Sequence, residues 1–107
     1  RDGGRIAGET LGDLRKATTY LKEAAALLPE DYEAHRLAGI AFGFSGSKLE
    51  AISYFQRAAQ IKPDLADAWF NLGTAYYQAG DPKNGALFYQ KAVSIDSTVM
   101  ERMSNKN

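Results

Sequence analysis

The chain contains no cysteine in its 107 residues. That excludes disulfides and thiolate metal sites and leaves the compartment open. Histidine occurs once, as His35. Neither sign of charge is in excess: 13 Lys and Arg face 13 Asp and Glu. No whole-chain field therefore favours nucleic acid or an anionic membrane. No apolar run approaches the roughly 20 residues that a membrane-spanning helix requires. No signal peptide is visible, but the first residue is Arg1 and not Met, which leaves room for a removed upstream segment, so the missing signal carries little weight. The length fits one domain with a continuous core.

What the chain does have is a repeat. In Trp69-Phe-Asn-Leu-Gly-Thr-Ala-Tyr76, the residues Trp69, Leu72, Gly73 and Tyr76 share one face of a helix. A glycine inside a helix costs about 1 kcal/mol relative to alanine. Its presence at Gly73 predicts a neighbouring helix close enough to touch the backbone. Three stretches align at a period of 34, opening on Gly12, Gly46 and Gly80. Their columns share chemistry: Ala17, Ala51 and Gly85 are small, Leu21, Phe55 and Tyr89 are large, and Ala24, Ala58 and Ala92 are identical. Upstream, His35, Gly39 and Phe42 align with Trp69, Gly73 and Tyr76.

These residues resemble the tetratricopeptide repeat. Trp69, Leu72, Gly73, Tyr76, Tyr89 and Ala92 follow the family's pattern, with Gly85 and Ser97 as departures. The preceding repeat keeps Ala51, Phe55, Ala58 and Pro63 but has His35 for Trp and Ala38 for Leu. The resemblance implies an all-α, right-handed α-solenoid of antiparallel helix hairpins. Residues 32–65 and 66–99 are expected to be full repeats, 1–31 a partial and degenerate one, and 100–107 the start of a further helix or a frayed tail. Helices are expected over about 4–11, 14–28, 32–44, 48–61, 66–78, 82–95 and 99–104. Asp31, Asp64, Ser47 (with Glu50 as a capping box) and Asp81 (before Pro82) are N-cap candidates, and Gly46 and Gly80 suit left-handed helix ends. Both chain ends fall inside a repeat, so either a longer parent continues the stack or two copies pair end to end.

The resemblance also implies function. The concave surface of such an array, lined by the first helix of each repeat, takes hold of a protein or peptide partner. The groove residues it designates are Arg36, Leu37, Ile40 and Phe44 in one repeat, and Phe70, Asn71, Thr74, Tyr77 and Gln78 in the next. Phe70 and Tyr77 would grip an apolar anchor, with Asn71 and Gln78 bonding the partner backbone. Chaperone-binding members hold a C-terminal carboxylate with a Lys and an Asn one turn apart, an Asn in the next repeat, and Lys plus Arg in a third. Here Arg36 and Asn71 fit, but Ile40 replaces an Asn, and Glu101 and Asn105 stand where the last two cations belong. That clamp is not expected, because a like charge at a carboxylate site repels.

Catalytic readings find no constellation. His35 occupies a packing column, with no cysteine and no serine placed by motif as its partner. Gly39, Gly43 and Gly46 lie within and at the end of a helix, without the strand and lysine of a phosphate loop. The expectation is a non-enzymatic interaction module with no cofactor, no metal, no nucleic acid and no membrane insertion. The alternative is self-association through exposed terminal helices, or a spacer within a larger protein.

Overall fold

The structure, a computed structural model, describes residues 2–104, with side chains over 15–103. Six helices follow one another: α1 (Asp2–Leu27), α2 (Tyr32–Phe44), α3 (Lys48–Ile61), α4 (Ala66–Gln78), α5 (Pro82–Ile95) and α6 (Val99–Ser104). Among the described residues there is no strand. Helices α2 and α3 form one hairpin, α4 and α5 a second, and each successive helix packs on the one before it. The extents of 49 × 31 × 24 Å are those of a short solenoid.

Turn chemistry sets the hairpins. Gly46 and Gly80 have φ of +90° and +86°, a conformation that only glycine adopts without strain. Each closes the preceding helix, with Ser47 N–H donating to the Phe42 carbonyl at 2.9 Å and Asp81 N–H to that of Tyr76 at 2.9 Å. At Gly12 the outcome differs: a single helix runs from Asp2 to Leu27 in place of the expected pair with a break between them. The sequence supplies a reason. Phe42 and Tyr76 precede the two turning glycines by four residues, whereas Gly8 precedes Gly12 and brings no ring to hold a returning helix.

The N-caps are fewer than the letters suggested. Asp81 caps α5 through Asn84 N–H at 3.2 Å and also accepts from the Asn84 side-chain amide at 2.7 Å. Ser47 stands at the N-cap of α3 without a side-chain bond, so the capping box with Glu50 does not form. Asp31 occupies the N-cap of α2 without a side-chain bond, and α4 is capped by Leu65, one residue beyond Asp64. The Asp31 carbonyl is engaged instead, accepting from His35 Nδ1 at 2.8 Å.

The helices meet at small residues. A Cβ on Gly73 would lie 2.6 Å from the Tyr89 ring and 2.9 Å from the Gly85 carbonyl oxygen. On Gly39 it would meet the Phe55 ring at 2.9 Å. Leu72 is fully buried in a cluster with Phe42, Ala51, Ile52, Phe55 and Ala75 that joins the two hairpins. Trp69, Phe88 and Tyr76 stack in series, with ring centroids 5.7 and 5.5 Å apart. The Trp69 indole N–H donates to the Pro63 carbonyl at 2.8 Å. His35, in the tryptophan column of the earlier repeat, is buried beside Tyr54.

Candidate functional site

Helices α2 and α4 lie in successive repeats and leave a furrow between them. Within it is a cavity of about 360 Å³, a volume in the range of small-ligand pockets. Helix α2 contributes Gly39, Ile40, Gly43 and Phe44, α3 contributes Lys48 and Phe55, and α4 contributes Asn71, Thr74, Ala75 and Gln78. Two physical causes open it. The packing faces of α2 and α4 are committed to the core through Phe42 and Leu72, so the residues one face around line the furrow. Gly43 also has no side chain there, and a Cβ on it would meet only Ala51, at 3.9 Å.

Of the nine residues designated from the sequence, the structure brings together Ile40, Phe44, Asn71, Thr74 and Gln78. The other four lie outside the cavity. Arg36 hydrogen-bonds to Glu33 on its own helix, and Leu37 is exposed. Phe70 stacks on Tyr89 with centroids 4.8 Å apart. Tyr77 lies against the same ring, tilted, at 4.9 Å. Those two aromatics form a three-ring series on α5 instead of a grip on the furrow. Sequence reasoning missed Gly39, Gly43, Lys48, Phe55 and Ala75 as lining residues. The glycines offered a signal, because an i, i+4 pair of them strips one helix face of side chains.

The lining divides by chemistry. Phe44, 78% exposed, and Ile40 make an apolar edge. Asn71 and Gln78 bring side-chain amides from α4, and Lys48 is the only charged residue on the lining. The Thr74 hydroxyl donates to the Phe70 carbonyl at 3.0 Å. It therefore accepts from the Tyr89 hydroxyl at 2.8 Å. Thr74 is thus a fixed wall, whereas no internal hydrogen bond holds the amides of Asn71 and Gln78 among the described residues. Such a surface can bond a peptide backbone and bury an apolar side chain. Among the described residues no group of His, Asp or Glu is placed to hold a metal ion. No described helix is long and apolar enough to cross a membrane.

Stacked helix hairpins with small residues at each crossing and a lined furrow between first helices define an α-solenoid repeat of the protein-interaction class. Family models described as "Tetratricopeptide repeat" and "TPR repeat" match residues 66–99 and 48–80, respectively. Residues 48–99 of this chain belong to the tetratricopeptide repeat family.

Solved structures of MamA share the fold. MamA MSR-1 C2 superposes with a TM-score of 0.74 at 22% identity, over 81% of this chain and 50% of that one. A second MamA structure gives 0.73 at 22% identity, over 90% of this chain and 56% of that one. This chain thus spans about half the length of these two structures. A search of curated proteins finds no match in sequence.

Proposed function

We propose that the chain is a non-catalytic interaction module that holds an extended segment of a partner protein in the furrow between α2 and α4. The observation that carries this reading is the cavity itself: an apolar edge of Ile40 and Phe44 faces the unengaged amides of Asn71 and Gln78. Peptide recognition needs both parts, an apolar pocket for a side chain and amide groups for the backbone. Five of the nine residues designated from the sequence support it by converging there. Phe70 and Tyr77 act one step back, by fixing Tyr89 and through it Thr74.

Selection of peptides from a displayed random library against the purified chain tests the proposal. Selected peptides should lose about tenfold or more in affinity to Ile40→Glu and to Asn71→Ala. Helical circular dichroism should be retained. Peptides indifferent to both substitutions would remove the furrow from the account.

Self-association is the second reading, favoured by apolar side chains left exposed towards both ends. Tyr20, Leu27 and Leu28 lie on or just after α1, and Leu87, Val93, Ile95 and Met100 lie on α5 and α6. Sedimentation over a concentration series decides it, since an unchanging monomer mass would end that reading.

A further inference from the structure

The two hairpins are the same device at a spacing of 34, so each can be read as a template for the other. In the second hairpin, Tyr77 at the end of α4 turns its ring onto α5. The ring lies so close to Gly85 that a Cβ there would come within 2.6 Å of it, and it rests on Tyr89 at 4.9 Å between centroids. In the first hairpin the corresponding residues are Gly43, Ala51 and Phe55. The receiving wall is retained, with Phe55 standing for Tyr89, but the ring that should lie on it is missing because Gly43 stands where Tyr77 would. The cavity occupies that place, and Gly43 and Phe55 both line it.

We infer that this niche takes the aromatic ring of a tyrosine or phenylalanine from the partner segment, seated against Phe55 over Gly43 as Tyr77 is seated against Tyr89 in the next repeat. The inference rests on the furrow being the binding site and names the side chain that anchors there. The volume of about 360 Å³ holds a ring together with adjoining backbone. Ala51 carries the methyl group that Gly85 lacks, so the incoming ring sits nearer the mouth, beside Ile40 and Phe44. Offset-stacked or tilted aromatic pairs of this kind favour binding beyond what their buried area supplies. Charge narrows the partner further. Lys48 on the lining has no ion-pair partner among the described residues, so a segment with an acidic residue beside its aromatic one complements the site and a basic one does not.

The decisive variant is Gly43→Tyr, which restores the side chain that the neighbouring repeat carries. A Cβ there would meet only Ala51, at 3.9 Å, and the ring has to lean towards the mouth, clear of the Ala51 methyl; retained helical circular dichroism and a retained urea midpoint check that the variant folds. The probe is acetyl-Tyr-Glu-amide, followed by amide chemical shifts in a two-dimensional nitrogen–proton NMR titration. Shifts should localise to Gly39, Gly43, Asn71 and Thr74, with a dissociation constant on the order of millimolar. Affinity should fall about tenfold or more for acetyl-Ala-Glu-amide and for the Gly43→Tyr variant, and roughly threefold for acetyl-Tyr-Lys-amide.

Binding of the tyrosine probe that survives Gly43→Tyr, or no localised shift in the parent chain, overturns the inference. Equal affinity for the lysine probe overturns its acidic part. Library peptides separate this failure from that of the furrow. If they are sensitive to Asn71→Ala but bind Gly43→Tyr as well as the parent, the furrow stands and the aromatic anchor falls.

Discussion

At the scale of single residues, helical glycines in this chain have opposite meanings that only their surroundings reveal. Gly73 faces the Gly85 backbone at 2.9 Å and the Tyr89 ring at 2.6 Å, as measured from an added Cβ. A backbone oxygen cannot rotate away, so Gly73→Ala overpacks the crossing. Strain of about 1–3 kcal/mol outweighs the helix-propensity gain of about 1 kcal/mol. A Cβ on Gly43 would make only an ordinary contact with Ala51, at 3.9 Å, and Gly43→Ala should stabilise the chain by up to about 0.5–1 kcal/mol. Urea denaturation of the two variants should move the midpoint in opposite directions, and a shared direction would contradict this packing. Tyr89→Phe is a smaller test. It removes the donor to Thr74 and leaves the ring, so a loss of about 0.5–1.5 kcal/mol is expected by the same measurement.

At the scale of elements, α6 shows which contact holds a short helix in place. Six residues cannot sustain a helix unaided. Two anchors are visible: Val99, fully buried with Ala66 and Ala92, and Arg102, bridging Asp67 at 2.8 Å and Asp96 at 2.7 Å. The ion pairs are exposed, where such pairs contribute little. Burial of a valine side chain contributes roughly 1.5–3 kcal/mol. Val99→Ala should therefore accelerate amide exchange across α6 far more than Arg102→Ala does.

Asp96 adds a pH signature to the same element. The Thr98 hydroxyl, the Thr98 backbone N–H and then Arg102 hold its carboxyl down to about 2, against an ordinary 3.8. A depressed pKa means that the folded form favours the carboxylate, so its contribution is fully present above about pH 4. That contribution is lost as the pH falls through about 2. A carbon NMR titration of the Asp96 carboxyl should show that low midpoint, rising towards the ordinary value in Arg102→Ala.

At the scale of the whole molecule, the core cluster around Leu72 belongs to neither hairpin alone. Leu72 of the second hairpin is buried against Phe42, Ile52 and Phe55 of the first. Neighbour-coupled repeats lose stability together when the joint is damaged. Leu72→Ala should cost about 2–5 kcal/mol. Hydrogen exchange should show protection lost in α2 and α3 as well as in α4 and α5. Loss confined to α4 and α5 would mean that the hairpins fold independently.

Much of this architecture was legible in the letters. The spacing of 34 placed α2 to α5 within about one residue at each end, because turning glycines and packing columns recur with it. Gly73 announced a close helix crossing, and Asp81-Pro82 announced its cap. Local chemistry suffices for such features. Ser47 stands at the expected N-cap without the expected side-chain bond, and the cap of α4 falls one residue after Asp64, because a residue type does not fix the direction of its side chain. The break expected at Gly12 was misread for a different reason: a glycine permits a turn but does not compel one, and the ring that compels it at Phe42 and Tyr76 is absent at Gly8. The cavity needed three dimensions. Phe70 and Tyr77 belong to the same helix face in sequence as Asn71 and Thr74, yet Tyr89 from α5 draws their rings away from the furrow. Sequence by itself determined the repeat and the surfaces that must be buried, since periodicity dictates which residues share a face. Tertiary structure decided which of the remaining side chains stay available to a partner, since that depends on what a helix elsewhere in the chain places opposite them.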